Sequence, residues 1–129
     1  MPRVFLFFNH TLTEDQREAL SRELTVTKIV LPPEELRSLW AAIPPDSPTL
    51  KDILVPVCSW LEKQSAAGDF ILIQGEFGAC YLLVQHALEF GLVPVYSTTE
   101  RHAREKHLPD GRVQLEHTFD HVRFRRYGV

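Results

Sequence analysis

The chain has 129 residues, enough for one domain with a single two- or three-layer core, and a formal net charge of −3. Hydrophobic residues make up 44% and charged residues 24%, which excludes a disordered chain, and no apolar run approaches the roughly 20 residues that span a bilayer. The charge is unevenly placed: residues 1–100 sum to −6, whereas residues 101–129 sum to +3 and hold four of the six histidines (His102, His107, His117, His121). That pattern fits either a solvated basic tail or a cationic rim beside an anionic ligand. It disfavours a long nucleic-acid duplex, which calls for a basic protein.

Val4 to Phe8 is an unbroken apolar run, the mark of a strand buried on both faces. The run is too short for a signal peptide and ends at polar Asn9-His10, so a cytoplasmic protein without a membrane segment is expected. Thr13-Glu14-Asp15-Gln16 is a capping box and opens a helix to about Glu23. Val26 to Leu31 reads as a second strand, stopped by Pro32-Pro33, with a short helix over Glu34–Ala42. After the rigid connector Pro44-Pro45-Asp46, Ser47-Pro48 reads as N-cap and first residue of a long helix to about Ala67. Gly68 ends it.

Phe70 to Ile73 is another buried strand. Gln74 to Gly78 is a turn, and Ala79 to Phe90 is an apolar helix stopped by Gly91. Leu92 to Tyr96 is a further strand, and Pro94 gives it an irregular or edge-proximal position. Arg101 to His107 reads as a helical turn. Pro109-Asp110-Gly111 is a strong turn flanked by strands over 112–118 and 119–127. Cys58 and Cys80 lack any CxxC spacing and read as free thiols of a reducing compartment. The sum is one α/β domain over residues 1–129: a mostly parallel, Rossmann-like sheet flanked by helices, with a β-rich C-terminal tail.

Open parallel sheets bind ligands beyond the carboxyl ends of their strands. That rule selects Asn9-His10-Thr11, Gln74-Gly75-Glu76-Phe77-Gly78, and Ser97-Thr98-Thr99-Glu100-Arg101. In the second segment two glycines allow close backbone approach, and the helix behind offers free amides to a phosphate. It lacks the lysine and hydroxyl of a P-loop. In the third, three hydroxyls and a guanidinium make a phosphate clamp, unless Ser97 or Thr98 is simply an N-cap. His10 stands just past a buried strand, where an imidazole suits acid/base work or only loop hydrogen bonding. His86 lies on an apolar helix face and reads as structural. No residue set has a recognised zinc spacing, and no cofactor is expected. A G-x-S-x-G elbow is absent.

Four ordered segments carry a resemblance: Leu6 to Gln16 (with Phe7-Phe8-Asn9-His10-Thr11), Leu39-Trp40-Ala41-Ala42-Ile43-Pro44-Pro45, Leu72 to Ala79, and Pro94 to Arg101, closed by Phe124-Arg125-Arg126-Tyr127. From about residue 3 to 127 the chain resembles the small CRISPR-associated Csx-twenty family of type III CRISPR systems. The resemblance implies a CARF-like homodimer that binds a cyclic oligoadenylate, above all cyclic tetra-adenylate. It implies a ring nuclease that cuts this messenger and switches the antiviral response off.

The chemistry needs no protein nucleophile and no metal, because the substrate's own 2′-hydroxyl can attack its 3′-phosphate. On chemical grounds His10, Arg101, Glu76 and Glu105 are the candidate catalytic residues. Asn9, Thr11, Gln74, Gly75, Phe77, Gly78, Ser97, Thr98 and Thr99 are the candidate ligand contacts. A non-catalytic sponge or sensor for the same ligand is the rival reading, and an unrelated nucleotide-handling enzyme a third.

Overall fold

The computed structural model describes residues 2–129; Met1, the first residue of the expected domain, lies outside the described residues. In chain order they form β1 (Arg3–Phe8), α1 (Glu14–Leu24), β2 (Lys28–Val30), α2 (Glu34–Ala41), α3 (Lys51–Gln64), β3 (Phe70–Gln74), α4 (Phe77–Glu89), β4 (Val93–His107) and β5 (Val113–Arg126). The strands make one sheet in the order β2-β1-β3-β4-β5. The first four are parallel, and β5 runs antiparallel to β4.

The apolar runs of β1 and β3 sort by parity onto two faces. Phe5, Phe7, Ile71 and Ile73 point to the side covered by α2, α3 and α4, where they meet Trp40, Leu54, Val57, Leu61 and Leu83. Val4, Leu6, Phe70 and Leu72 point to the other side, where α1 supplies Ala19 and Leu20. The result is a mixed α/β domain of three layers, with burial of each large side chain worth about 1.5–3 kcal/mol. Trp40 and Trp60 close the three-helix side, each edge-on to Phe7. Among the described residues no helix is long and apolar enough to cross a membrane.

The capping box forms as expected: Thr13 Oγ1 accepts from the Gln16 amide at 3.1 Å, and Gln16 Oε1 accepts from the Thr13 amide at 3.0 Å. Both ends of the long helix are corrected. Helix α3 starts at Lys51, not Pro48, because the Ser47 hydroxyl donates to the Thr49 carbonyl (2.7 Å) instead of capping the helix. It also ends at Gln64, before the expected Ala67. Pro94 lies in the penultimate strand, beside the edge strand β5, in keeping with the edge-proximal position expected for it. The Val93 amide faces β3, donating to Asp69 O at 2.9 Å, so the neighbouring proline nitrogen faces away and costs that ladder nothing.

The largest correction concerns residues 97–107. They form neither a turn nor a helical turn. They extend β4, paired with β5 from Val95↔Arg126 to His107↔Val113, through one irregularity at Thr98/Thr99. Strands 112–118 and 119–127 are accordingly one strand.

At the opposite end of the sheet Asp69 ties the start of β1 to the loop before β3. It accepts from the Arg3 amide (3.0 Å), the Arg3 guanidinium (2.9 Å) and the Ala66 amide (2.9 Å). Burial opposes its ionisation, but these amides and the guanidinium outweigh burial and hold the carboxyl below its ordinary value. The stabilisation is therefore present above the unfolded carboxylate value, near 3.9, and is lost as pH falls through the lower folded value. Asp69→Asn is expected to reduce unfolding free energy by about 1.5–3 kcal/mol at neutral pH. In urea melts the gap to wild type should shrink only below about pH 4.

Candidate functional site

Beyond the carboxyl ends of β1 and β2 lies an open cavity of about 450 Å³. Asn9, His10 and Thr11 line it from the β1–α1 loop, and Phe8 sets the His10 ring edge-on at 5.5 Å. Arg17 enters from α1 and Arg37 from α2, with Glu34 and Ser38 beside them and Trp40 as part of the wall. Each arginine is the fourth residue of its helix. Neither is held in an ion pair among the described residues, although a cation near a helix N-terminus opposes the helix dipole. An anion between them would relieve that. Sequence reasoning missed Arg17, Arg37, Glu34 and Ser38 because it applied the carboxyl-end rule to β1, β3 and β4 and passed over β2.

The β3–α4 turn is arranged differently. Helix α4 begins at Phe77, not Ala79, and Glu76 is its N-cap, accepting from the Gly78 amide (2.7 Å) and the Ala79 amide (3.1 Å). The seat expected for a phosphate therefore holds a carboxylate from the chain itself. The Gln74 side chain accepts from the Ser97 amide at 2.8 Å, which links β3 to β4. Gly75 is a packing requirement: an added Cβ would lie 2.8 Å from Trp40 Nε1, which donates to the Gln74 carbonyl at 3.0 Å. Phe77 is 92% exposed and free to stack on a planar group. Gln74, Gly75 and Phe77 border a second cavity with Tyr81, Tyr96 and Tyr127, separate from the one that holds His10. There the Tyr127 hydroxyl donates to Ile73 O at 2.6 Å, and burial pushes its pKa up to about 12, so it stays a neutral donor. Burial also raises the Cys58 and Cys80 thiols, which disfavours either as a nucleophile.

The third expected segment does not join either cavity. Thr98 Oγ1 donates to Arg123 O at 3.1 Å across the strand irregularity. Thr99, Arg101 and Glu105 are exposed on the β4 extension, where Arg101 bonds the His117 ring at 3.1–3.3 Å and Glu105 lies 3.9 Å from His107. Glu105 is eight residues past Ser97, about 27 Å along an extended strand.

Ser97 is 5% exposed and sits in a buried polar chain. His121 Nε2 lies 2.9 Å from Glu23 Oε2, and its Nδ1 lies 2.6 Å from Ser97 Oγ. The carboxylate can only accept, so Nε2 carries the proton; with the ring neutral, Nδ1 accepts from the Ser97 hydroxyl, which in turn accepts from Gln16 Nε2 (3.3 Å). The residue types are those of a hydrolase triad. The serine opens onto no cavity described above, and Glu23 also accepts from the Phe124 amide at 2.7 Å. The chain therefore clamps β5 to α1. Among the described residues no three His, Cys, Asp or Glu side chains gather closely enough to hold a metal ion.

Fold and cavity together define a three-layer α/β protein with an open polar pocket at the carboxyl edge of its sheet. The family described as "Uncharacterized protein MJ1673 family" matches residues 2–125, and the chain belongs to it. The "Uncharacterized protein MJ1673" of Methanocaldococcus jannaschii is 42% identical over 127 residues, covering 98% of each chain. No solved structure matches.

Gly75→Ala is expected to push the Trp40 indole off the Gln74 carbonyl and to cost about 1–3 kcal/mol by overpacking. Near-ultraviolet circular dichroism and a denaturant melt would register both effects.

Proposed function

We propose that the chain is a Rossmann-like, CARF-like ring nuclease of the cytoplasm that binds cyclic oligoadenylate as a homodimer and cuts it. The observation that supports this reading is the cavity that brings His10 and Asn9 together with two arginines free of ion pairs among the described residues. The resemblance of the Leu6–Gln16 and Leu72–Ala79 segments to the Csx-twenty family supplies the substrate class. At about 450 Å³ the cavity has the size of a small-ligand site and suits one nucleotide unit rather than a whole ring, which is why a cyclic ligand calls for two copies.

In this reading the 2′-oxygen of a bound adenosine attacks its own 3′-phosphate. The new P–O2′ bond replaces the P–O5′ bond, leaving a 2′,3′-cyclic phosphate and a free 5′-hydroxyl. His10 takes the 2′-hydroxyl proton. Arg17 and Arg37 hold the phosphate and offset the charge that builds on it. Glu34, on the same cavity wall, gives the leaving 5′-oxygen its proton. Glu76 acts through its cap, and Phe77 offers a face for adenine. Arg101 and Glu105, on the β4 extension, do not line the cavity of their own chain.

Incubation with cyclic tetra-adenylate in EDTA, with products separated by chromatography and mass detection, tests the reading. Linear products ending in a 2′,3′-cyclic phosphate are expected; intact ligand that travels with the protein would make it a sponge or sensor. His10→Ala should slow turnover far more than it weakens binding, and equal rates would remove His10 from the reaction. Arg17→Ala or Arg37→Ala should each weaken binding by about 1.5–3 kcal/mol, roughly 10- to 150-fold, in a titration.

A further inference from the structure

The β4–β5 ribbon leaves the body of the protein at the Thr99–His121 pair. Strand β3 accompanies β4 only as far as Val95, and α1 holds β5 through His121 and Phe124. From Thr99 to His107 every residue of β4 is exposed. Residues paired across the strands share a face, so the register sorts the ribbon into two sides.

One side is closed by ion pairs of its own: His102 with Asp120 (3.3 Å), Arg104 with Glu116 (3.5 Å) and Lys106 with Glu116 (3.7 Å). The other carries Ala103, Val113, Leu115 and Phe119, with Arg101, resting on His117 at 3.1–3.3 Å, and Glu105, 3.9 Å from His107, among them. Val113, Leu115 and Phe119 are 53%, 60% and 63% exposed, on a two-stranded ribbon with no core of its own.

We propose that this apolar side is where two copies of the chain pair, ribbon against ribbon, about a two-fold axis running across the strands at the level of Ala103 and His117. Three observations place the axis there. Arg101 and Glu105 stand two residues either side of Ala103, so each Arg101 meets the partner subunit's Glu105, and the pairing occurs twice. Phe119 and Leu115 stand two residues either side of His117, so each Phe119 meets the partner subunit's Leu115. The level of Ala103 is also midway between Thr99, where cover from the body ends, and His107, where β4 ends. One axis therefore covers the whole bare stretch of both copies, about 27 Å long, with the small Ala103 side chain and the His117 ring of each copy at its centre. Any other sliding register would leave part of the ribbon bare and set Arg101 away from a carboxylate. The pairing rests on the ribbon alone and holds whatever the cavity binds.

Light scattering after gel filtration tests it on the full chain. Wild type should have the mass of two chains. Arg101→Glu places two carboxylates together at each contact, and Glu105→Arg places two guanidinium groups together, so each variant should have the mass of one chain. An equal mixture of the two variants restores both opposite-charge contacts and should return to two chains, which misfolded variants would not do. The double variant Arg101→Glu with Glu105→Arg should also have the mass of two chains. A single-chain wild type would overturn the pairing and leave the ribbon to a different protein. Variants that remain paired, or a mixture that stays single, would overturn it as well.

Discussion

Val4 to Phe7 and Phe70 to Ile73 have no solvent-facing side, and every other element is placed by the need to cover them. Parity sends half of these side chains each way, so helices must lie on both faces of the sheet. Three lie on the side of Phe5, Phe7, Ile71 and Ile73, and the shorter task of covering Val4, Leu6 and Leu72 falls to α1. Chain direction follows, since parallel neighbours need crossovers, and the crossovers are the covering helices. The polar loops are then gathered at the carboxyl edge, where β1, β2 and β3 all end.

Much of this is legible in the residues. Continuous apolar runs bounded by Asn9 and Gln74 can only be buried strands, and Thr13 with Gln16 announces a helix start that forms as written. The extension of β4 is not legible. Thr99 to His107 is rich in Glu, Arg, Ala and Lys, which favour helix, and holds no β-branched residue after Thr99. It is a strand because β5 pairs with it, and the period-two pattern that reveals a strand lies in the partner, at Val113, Leu115 and Phe119. Pro94 did signal a strand near the sheet edge, but which way its nitrogen faces depends on the register with β3.

The candidate site shows the same division. His10 and Asn9 were found by rule, because loops after buried strands gather at the edge. Arg17 and Arg37 belong to helices, and only the approach of α1 and α2 around the β1 and β2 ends brings them together. Glu76 was read as chemistry, but a carboxylate one residue before a helix meets free amides within its own turn, and that local partner wins. Ser97, read as a hydroxyl of a phosphate clamp, is sealed at the junction of α1, β4 and β5. There it and His121 satisfy each other where neither could reach water.

Strand β4 is one continuous piece of backbone with two very different surroundings. Val93 to Ser97 runs within the body, paired with β3 as far as Val95 and tied to the Gln74 side chain at Ser97, whereas Thr99 to His107 is bonded along one edge only, to a neighbour that is itself uncovered. The inner amides can exchange with solvent only when the body opens, while the outer ones exchange whenever the ribbon frays. A single strand thus reports two local stabilities, and the step between them falls at Thr98, where the register slips.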